Sequence, residues 1–227
     1  MYSSSKKKNV RIKIKFLKGS RFGKYDILII GNGYAVNQAD TIYSTFKTVA
    51  KLFRIFSLPD CNSLEFSNGC IGEDSFAKII RELKPDILFL ANQFLNLAEP
   101  INSTMESYST YQQLVKRINQ YLEVGSLKKV IYSPFTQDKR TLHYFIQKDN
   151  TAHLKRMKIS EAVKNCSTCE IIDYAPYLQN NDGSFSLTDN EKSVMLMDDA
   201  NNLNKFGLYR IKPLYEAIVH NFARGYS

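Results

Sequence analysis

Two stretches of the chain are apolar runs without alternation, Ile27 to Ile30 and, behind its opening acid, Asp86 to Ala91, and each stops at polar or glycine residues. A strand covered on one face alternates apolar and polar positions, so these runs predict strands buried on both faces of a sheet. After Gly31 and Gly33 the pattern changes to helical spacing from Val36 to about Ala50. Leu52 to Leu58 is a second strand, ended by Pro59. Further helices are expected over Asp74 to Leu83, Tyr108 to Glu123 and Thr151 to Lys164, with strands over Lys129 to Tyr132 and Glu170 to Asp173. Asn204 is placed to cap a last helix from Lys205 to about Ala223. Pro134 to Asn150 and Pro176 to Asp198 read as loops.

Strands alternating with helices imply parallel pairing through right-handed crossovers. The expected fold class is α/β: a three-layer sandwich around a parallel five-stranded, flavodoxin-like sheet of order 2-1-3-4-5. In that order the two apolar strands are neighbours, and their C-terminal ends flank the crevice where such sheets bind ligands. Asn32, Gly33 and Tyr34 would stand on one side of it, Asn92 and Gln93 on the other.

The net charge of +9 changes this picture little, because it is local. Residues 1 to 24 hold nine of the 31 Lys and Arg and no acid, leaving 22 basic against 22 acidic residues in the rest. The division expected is a basic arm or edge strand over 1–24 and an α/β domain over 25–227. Within the arm Val10, Ile12, Ile14 and Phe16 alternate with Arg11, Lys13 and Lys15, the pattern of a half-buried strand with a cationic outer face. Lysines on an edge strand discourage unwanted pairing; contact with a polyanion or an anionic lipid surface is the functional alternative. Specific nucleic-acid recognition is not implied, and a monomer is expected.

The four cysteines form two close pairs, Cys61 with Cys70 and Cys166 with Cys169, as in two short disulfide loops. A zinc site needs four converging ligands, which one Cys-x-x-Cys does not supply; redox motifs of that spacing open a helix after a strand, whereas this one precedes a strand. Paired cysteines point to an extracytoplasmic or lumenal compartment. Met1 to Lys8 lacks the apolar core of a signal peptide, so a cytoplasmic chain with four thiols, or a piece of a longer precursor, stays open.

For the crevice, dinucleotide binding is the first candidate, but its fingerprint requires a small residue where Val36 stands and an acid ending the second strand, where Ser57 and Leu58 stand. The segment Gly31-Asn32-Gly33-Tyr34-Ala35, with Asp199 to Gly207 near the C-terminus, resembles the first and last blocks of the SGNH hydrolases. It is more closely similar to the SGNH domain attached to membrane acyltransferases of the acyltransferase-3 type, particularly in nematodes. There the first block reads Gly-Asn-Ser-Tyr-Ala or Gly-Asp-Ser-His-Ala, and the last places a His before Leu-Ser and a Gly four residues on. The resemblance runs from about Tyr25 to Val219 and includes the phrase Ile172 to Pro176.

Carried over residue by residue, the resemblance puts the nucleophilic serine at Gly33 and the catalytic histidine at Asn202, with the orienting acid kept at Asp199. Without a hydroxyl there is no acyl-enzyme, and without an imidazole no base to activate one. Tyr34 has a hydroxyl whose ordinary pKa near 10 makes it a poor nucleophile, and His143, His153 and His220 lie away from the strand ends. Asn92 and Gln93, with the amides of Gly33 and Tyr34, are candidate donors to an acyl or sugar oxygen; loop capping accounts for Asn92 and Gln93 equally well. The expectation is an esterase or O-acyltransferase relative without its covalent machinery. It would need no cofactor or metal, and would bind an acyl or carbohydrate ligand or accompany a membrane acyltransferase. The alternatives are an active hydrolase using unconventional residues and a structural domain whose crevice has closed.

Overall fold

The computed structural model describes residues 13–58, 61–64, 70, 73–93, 104–124, 126–135, 150–178, 188–189, 194–198 and 202–225. Six strands form one sheet: β1 (Lys13–Lys18), β2 (Tyr25–Gly31), β3 (Ala50–Ser57), β4 (Ile87–Gln93), β5 (Lys129–Phe135) and β6 (Cys169–Ile171), in the order β1-β3-β2-β4-β5-β6. The five strands from β2 onward are parallel, and they run in the expected 2-1-3-4-5 succession. β1 adds an antiparallel sixth along the outer edge of β3, with Lys13 opposite Ser57 and Lys18 opposite Leu52, so the sheet is mixed rather than wholly parallel.

Helices cover both faces. On one lie α1 (Gly33–Phe46) and α6 (Lys205–Gly225); on the other α2 (Glu73–Leu83), α3 (Ser109–Leu122) and α4 (Asn150–Val163). The run Ile27 to Ile30 explains the arrangement. Ile27 and Ile29 enter the cluster made with Ala35, Ala39, Ile42 and Phe46 of α1 and Ile211, Tyr215, Ile218 and Phe222 of α6. Leu28 and Ile30 enter the opposite cluster, with Phe76, Ala77 and Ile80 of α2 and Leu114, Ile118 and Tyr121 of α3. All four are fully buried, each contributing about 1.5–3 kcal/mol relative to exposure. The helical partners recur at intervals of three and four residues, one stripe per helix.

Several expectations are corrected. α1 begins at Gly33 rather than Val36, because Asn32 is its N-cap. The loop after Pro176 contains the end of a short helix, α5 (Ala175–Leu178), and a small hairpin of β7 (Thr188–Asp189) with β8 (Val194–Met195). On β1 the facing is reversed. Leu17 packs towards α1 and α6, and Lys15 reaches Asp40 of α1 at 3.9 Å, whereas Phe16, opposite Arg54, is 61% exposed. Alternation fixes which residues share a face, but the ring of Phe16 turns to solvent instead of to the helices. Val10 and Ile12 lie outside the described residues, as do the loop 136–149 and the segments 94–103 and 179–187.

Two disulfides join Cys61 to Cys70 and Cys166 to Cys169, with Cα atoms 5.2 and 5.3 Å apart. Among the described residues no helix is long and apolar enough to cross a membrane.

Phe89 measures the core. Its ring lies edge-on to Phe46 at 5.0 Å and tilted to Tyr215 at 6.3 Å, with no exposure. Phe89→Ala should therefore cost about 3–5 kcal/mol in chemical denaturation, and Phe16→Ala no more than about 0.5 kcal/mol.

Candidate functional site

The site is built where β2 ends. Gly31 has φ 156°, and an added Cβ would stand 1.9 Å from the carbonyl oxygen of Ala91 on β4, so only glycine brings the two strands this close. Its carbonyl accepts from the amide of Leu58 at 3.1 Å. Asn32 follows in extended conformation, and its side chain accepts from the Tyr34 amide at 3.0 Å. The Asn32 carbonyl accepts from the Ala35 amide at 3.0 Å and from Ser57 Oγ at 2.7 Å. The turn is thus tied to the ends of both neighbouring strands before α1 begins.

Gly33 differs from Gly31 in the way that matters for chemistry. It is the first residue of α1, it is exposed, and a Cβ built on it meets no atom of another described segment within 4 Å. A side chain there would project into open space at the positive end of a helix of 14 residues, where developing negative charge is favoured. The backbone accommodates a serine, and the sequence does not supply one.

The C-terminal loop comes to the same helix. Asn37, one turn beyond Gly33 and on the same side of α1, donates from Nδ2 to the carbonyl of Leu203 at 2.9 Å. Asn202 is therefore beside the first turns of α1. Its amide donates to Asp198 Oδ1 at 2.8 Å and its Nδ2 to Asp198 Oδ2 at 3.4 Å, while its carbonyl accepts from the Asp198 amide at 2.9 Å. The acid that holds Asn202 is thus Asp198; Asp199 lies outside the described residues. Asn204 caps α6, accepting from the amides of Phe206 and Gly207 at 2.9 and 3.2 Å. At Gly207 a Cβ would lie 2.2 Å from the Leu196 carbonyl oxygen, so that position, too, needs glycine.

The other expected site residues are placed differently. Asn92 is fully buried, with Oδ1 accepting from the Ser63 amide at 3.0 Å and Nδ2 donating to Ser63 Oγ at 2.7 Å. Tyr121 of α3 donates to the Ser63 carbonyl. Asn92 anchors the loop that starts at the Cys61 disulfide, which is the capping alternative rather than an outward-facing donor. Gln93 ends β4, and its side chain lies outside the described residues.

Tyr34 turns inward as well. Burial pushes its hydroxyl pKa well above the ordinary value, and the neighbouring Tyr174 raises it further, against a smaller lowering by a hydrogen bond with Gln38. A hydroxyl so held stays protonated and is not a nucleophile. Around it lies a polar knot that the sequence reading missed. Tyr174 donates to Gln38 Oε1 at 2.6 Å, Tyr215 donates to the same oxygen, and the two tyrosine oxygens are 2.6 Å apart. The available signal was Gln38 itself, a polar residue within the apolar stripe Ala35, Ala39 and Ile42. This knot joins α1, α6 and the segment after β6 beneath the site.

Among the described side chains near Gly33 and Asn202 the hydroxyls are that of Tyr34, held protonated, and that of buried Ser57, which donates to the Asn32 carbonyl; no imidazole is among them. His220, exposed on α6, lies 15 residues from its first residue Lys205, roughly 22 Å along the axis. No cluster of three or more His, Cys, Asp or Glu side chains that could hold a metal occurs among the described residues.

Compared with known proteins, the sequence matches no protein-family model and no curated protein. Solved structures do match. The periplasmic domain of a lipopolysaccharide acetyltransferase from Salmonella ser. Paratyphi A superposes with a TM-score of 0.60 at 13% identity, over 88% of this chain and 85% of that one. A protein described as an acylhydrolase from Bacteroides fragilis gives 0.55 at 12% identity over 92% of each chain. A GDSL-like lipase from Bacteroides thetaiotaomicron gives 0.50 at 13% identity, over 86% of this chain and 88% of that one. The fold is therefore that of the SGNH or GDSL-like sandwich.

Two measurements check this geometry. Gly33→Ala should be neutral or stabilise by up to about 1 kcal/mol, since a helical backbone with an unobstructed Cβ gains from a stiffer unfolded chain; Gly31→Ala should cost more than about 2 kcal/mol. The raised pKa of buried Tyr34, and that of Tyr132, raised by burial, also make stability pH-dependent. Above about pH 10 the unfolded chain releases these phenolic protons while the folded one keeps them, so stability is full below pH 10 and falls as pH rises. Denaturation at pH 8, 10 and 11 should show that loss, shallower in Tyr34→Phe.

Proposed function

We propose that this chain is an SGNH-type scaffold without the covalent machinery of an esterase or O-acyltransferase, and that the space at Gly33 receives an acyl-bearing or carbohydrate ligand without cleaving it. The observation that carries the reading is the open volume where a nucleophile's Cβ would stand, at a capped helix N-terminus beside the Asn202 loop. A domain retired to a structural role would be expected to fill that space with side chains, and among the described residues nothing lies within 4 Å of that Cβ. Asn202, where an imidazole would be required, donates to Asp198 instead, so the side chain at this position is not a base that generates an alkoxide near neutral pH.

The two disulfides and the periplasmic origin of one structural neighbour favour an extracytoplasmic setting. That this neighbour is a domain of a lipopolysaccharide acetyltransferase favours a partnership with a membrane acyltransferase, in which this domain would hold the acyl donor or the sugar acceptor.

The test is a gain of function. The natural protein should turn over an activated acetate ester no faster than buffer, and Gly33→Ser with Asn202→His should raise the rate at least about tenfold, a small part of what a full triad contributes. Turnover by the natural protein that Asp199→Ala abolishes would overturn the proposal.

A further inference from the structure

At the opposite end of the sheet from Gly33, the turn between β1 and β2 carries an aromatic ring into solvent. Phe22 is 84% exposed, the most exposed large apolar side chain among those described. The turn is not free to hide it. The Ser20 amide donates to the carbonyls of Ala50 and Lys47 at 2.8 and 3.1 Å, the Gly23 amide to the Ser20 carbonyl at 3.0 Å, and the Lys24 amide to the Val49 carbonyl at 2.9 Å. Ser20 Oγ accepts from the Phe22 amide at 3.2 Å, and Tyr43 donates to the Lys18 carbonyl at 2.9 Å. Gly19 and Gly23 lie so close to the Ala50 carbonyl oxygen that a Cβ on either would stand 2.0 or 1.9 Å from it. The backbone is clamped at both ends, with Phe22 at the tip.

The ring sits among cations. Lys18, Arg21 and Lys24 on the turn, with Lys47 and Lys51 on the segment that clamps it, are all exposed, and neither 18–25 nor 46–52 contains an acid. The acids that begin the neighbouring strands are already matched, Asp26 by Arg54 at 3.7 Å and Asp86 by Lys128 at 3.1 Å. An exposed aromatic held rigidly within a collar of five cations has the chemistry of an interfacial anchor: the ring enters the headgroup boundary while the cations meet anionic lipids. A sulfated polyanion, which has no aromatic group to stack, would use the charges and leave the protruding phenyl ring in water.

We propose that the turn Lys18 to Lys24, with Lys47 and Lys51, docks this domain on an anionic bilayer surface. β2 separates that turn from Gly33 by seven residues, roughly 20 Å, so the docked domain directs the Gly33 site away from the lipid. The inference is independent of the ligand assigned to that site.

Flotation of the full chain with vesicles tests it. Phosphatidylcholine vesicles containing phosphatidylserine should bind the protein at low ionic strength, phosphatidylcholine alone should not, and added salt should weaken the binding. Phe22→Ser should reduce binding about tenfold. Lys18→Gln with Arg21→Gln and Lys24→Gln should reduce it about 100-fold, with unchanged circular dichroism. Gly33→Ser with Asn202→His should bind as the parent does, which separates this outcome from the fate of the ligand reading. No binding, equal binding to both vesicles, or indifference to Phe22→Ser with full competition by heparin would overturn the proposal. So would binding that survives the triple variant and is lost when Lys6, Lys7, Lys8 and Arg11 are changed to Gln.

Discussion

The exclusion of water from both sides of β2 is the constraint on which the rest rests. With Ile27 to Ile30 fully covered, every backbone amide and carbonyl of the strand must be paired within the sheet, since an unpaired buried polar group costs as much as a lost hydrogen bond. β2 accordingly pairs with β3 and β4 at once, and Gly31 comes level with Ser57 on one side and Ala91 on the other. Register, not the turn's own preference, places the start of α1. The tight approach at Gly31 and the open space at Gly33 follow from it, two residues apart and opposite in what they tolerate.

A second layer of constraint is polar. Gln38, Tyr174 and Tyr215 exchange hydrogen bonds inside the face covered by α1 and α6, where each would be costly alone. They fix α6 against α1 as a jigsaw of apolar residues would not, because a slip of either helix leaves a buried hydroxyl or amide unsatisfied. Asn37 and Leu203 extend that tie to the loop carrying Asn202. The juxtaposition of residues 33 and 202, some 170 positions apart in the chain, depends on groups that perform no chemistry.

Much of this was legible before any coordinates. Continuous apolar runs declared β2 and β4, and the alternation of strand and helix gave the succession of the parallel strands. Asn204 announced the last helix, and local cysteine spacing announced both disulfides. What was hidden has physical reasons. Period-two alternation on β1 could not say which face the helices would cover, so Phe16 and Leu17 exchanged roles. Asn32 was placed in the crevice and its cap went unread, because a helix cap and a loop use the same side-chain chemistry. Asn92 was an apparent donor at a strand end, but its direction depends on Ser63, which arrives from a different crossover. Gln38 was invisible as a hub because its partners come from two distant segments.

The contrast between the two glycines bears on how such a domain changes over generations. A substitution at residue 31 is removed by its effect on folding alone, whatever the protein does. Residue 33 carries no such penalty, so the stability threshold that purges most changes is blind to it. Which residue stands there is left to selection on what the domain does rather than on how it folds, and the position can change without rebuilding the scaffold around it.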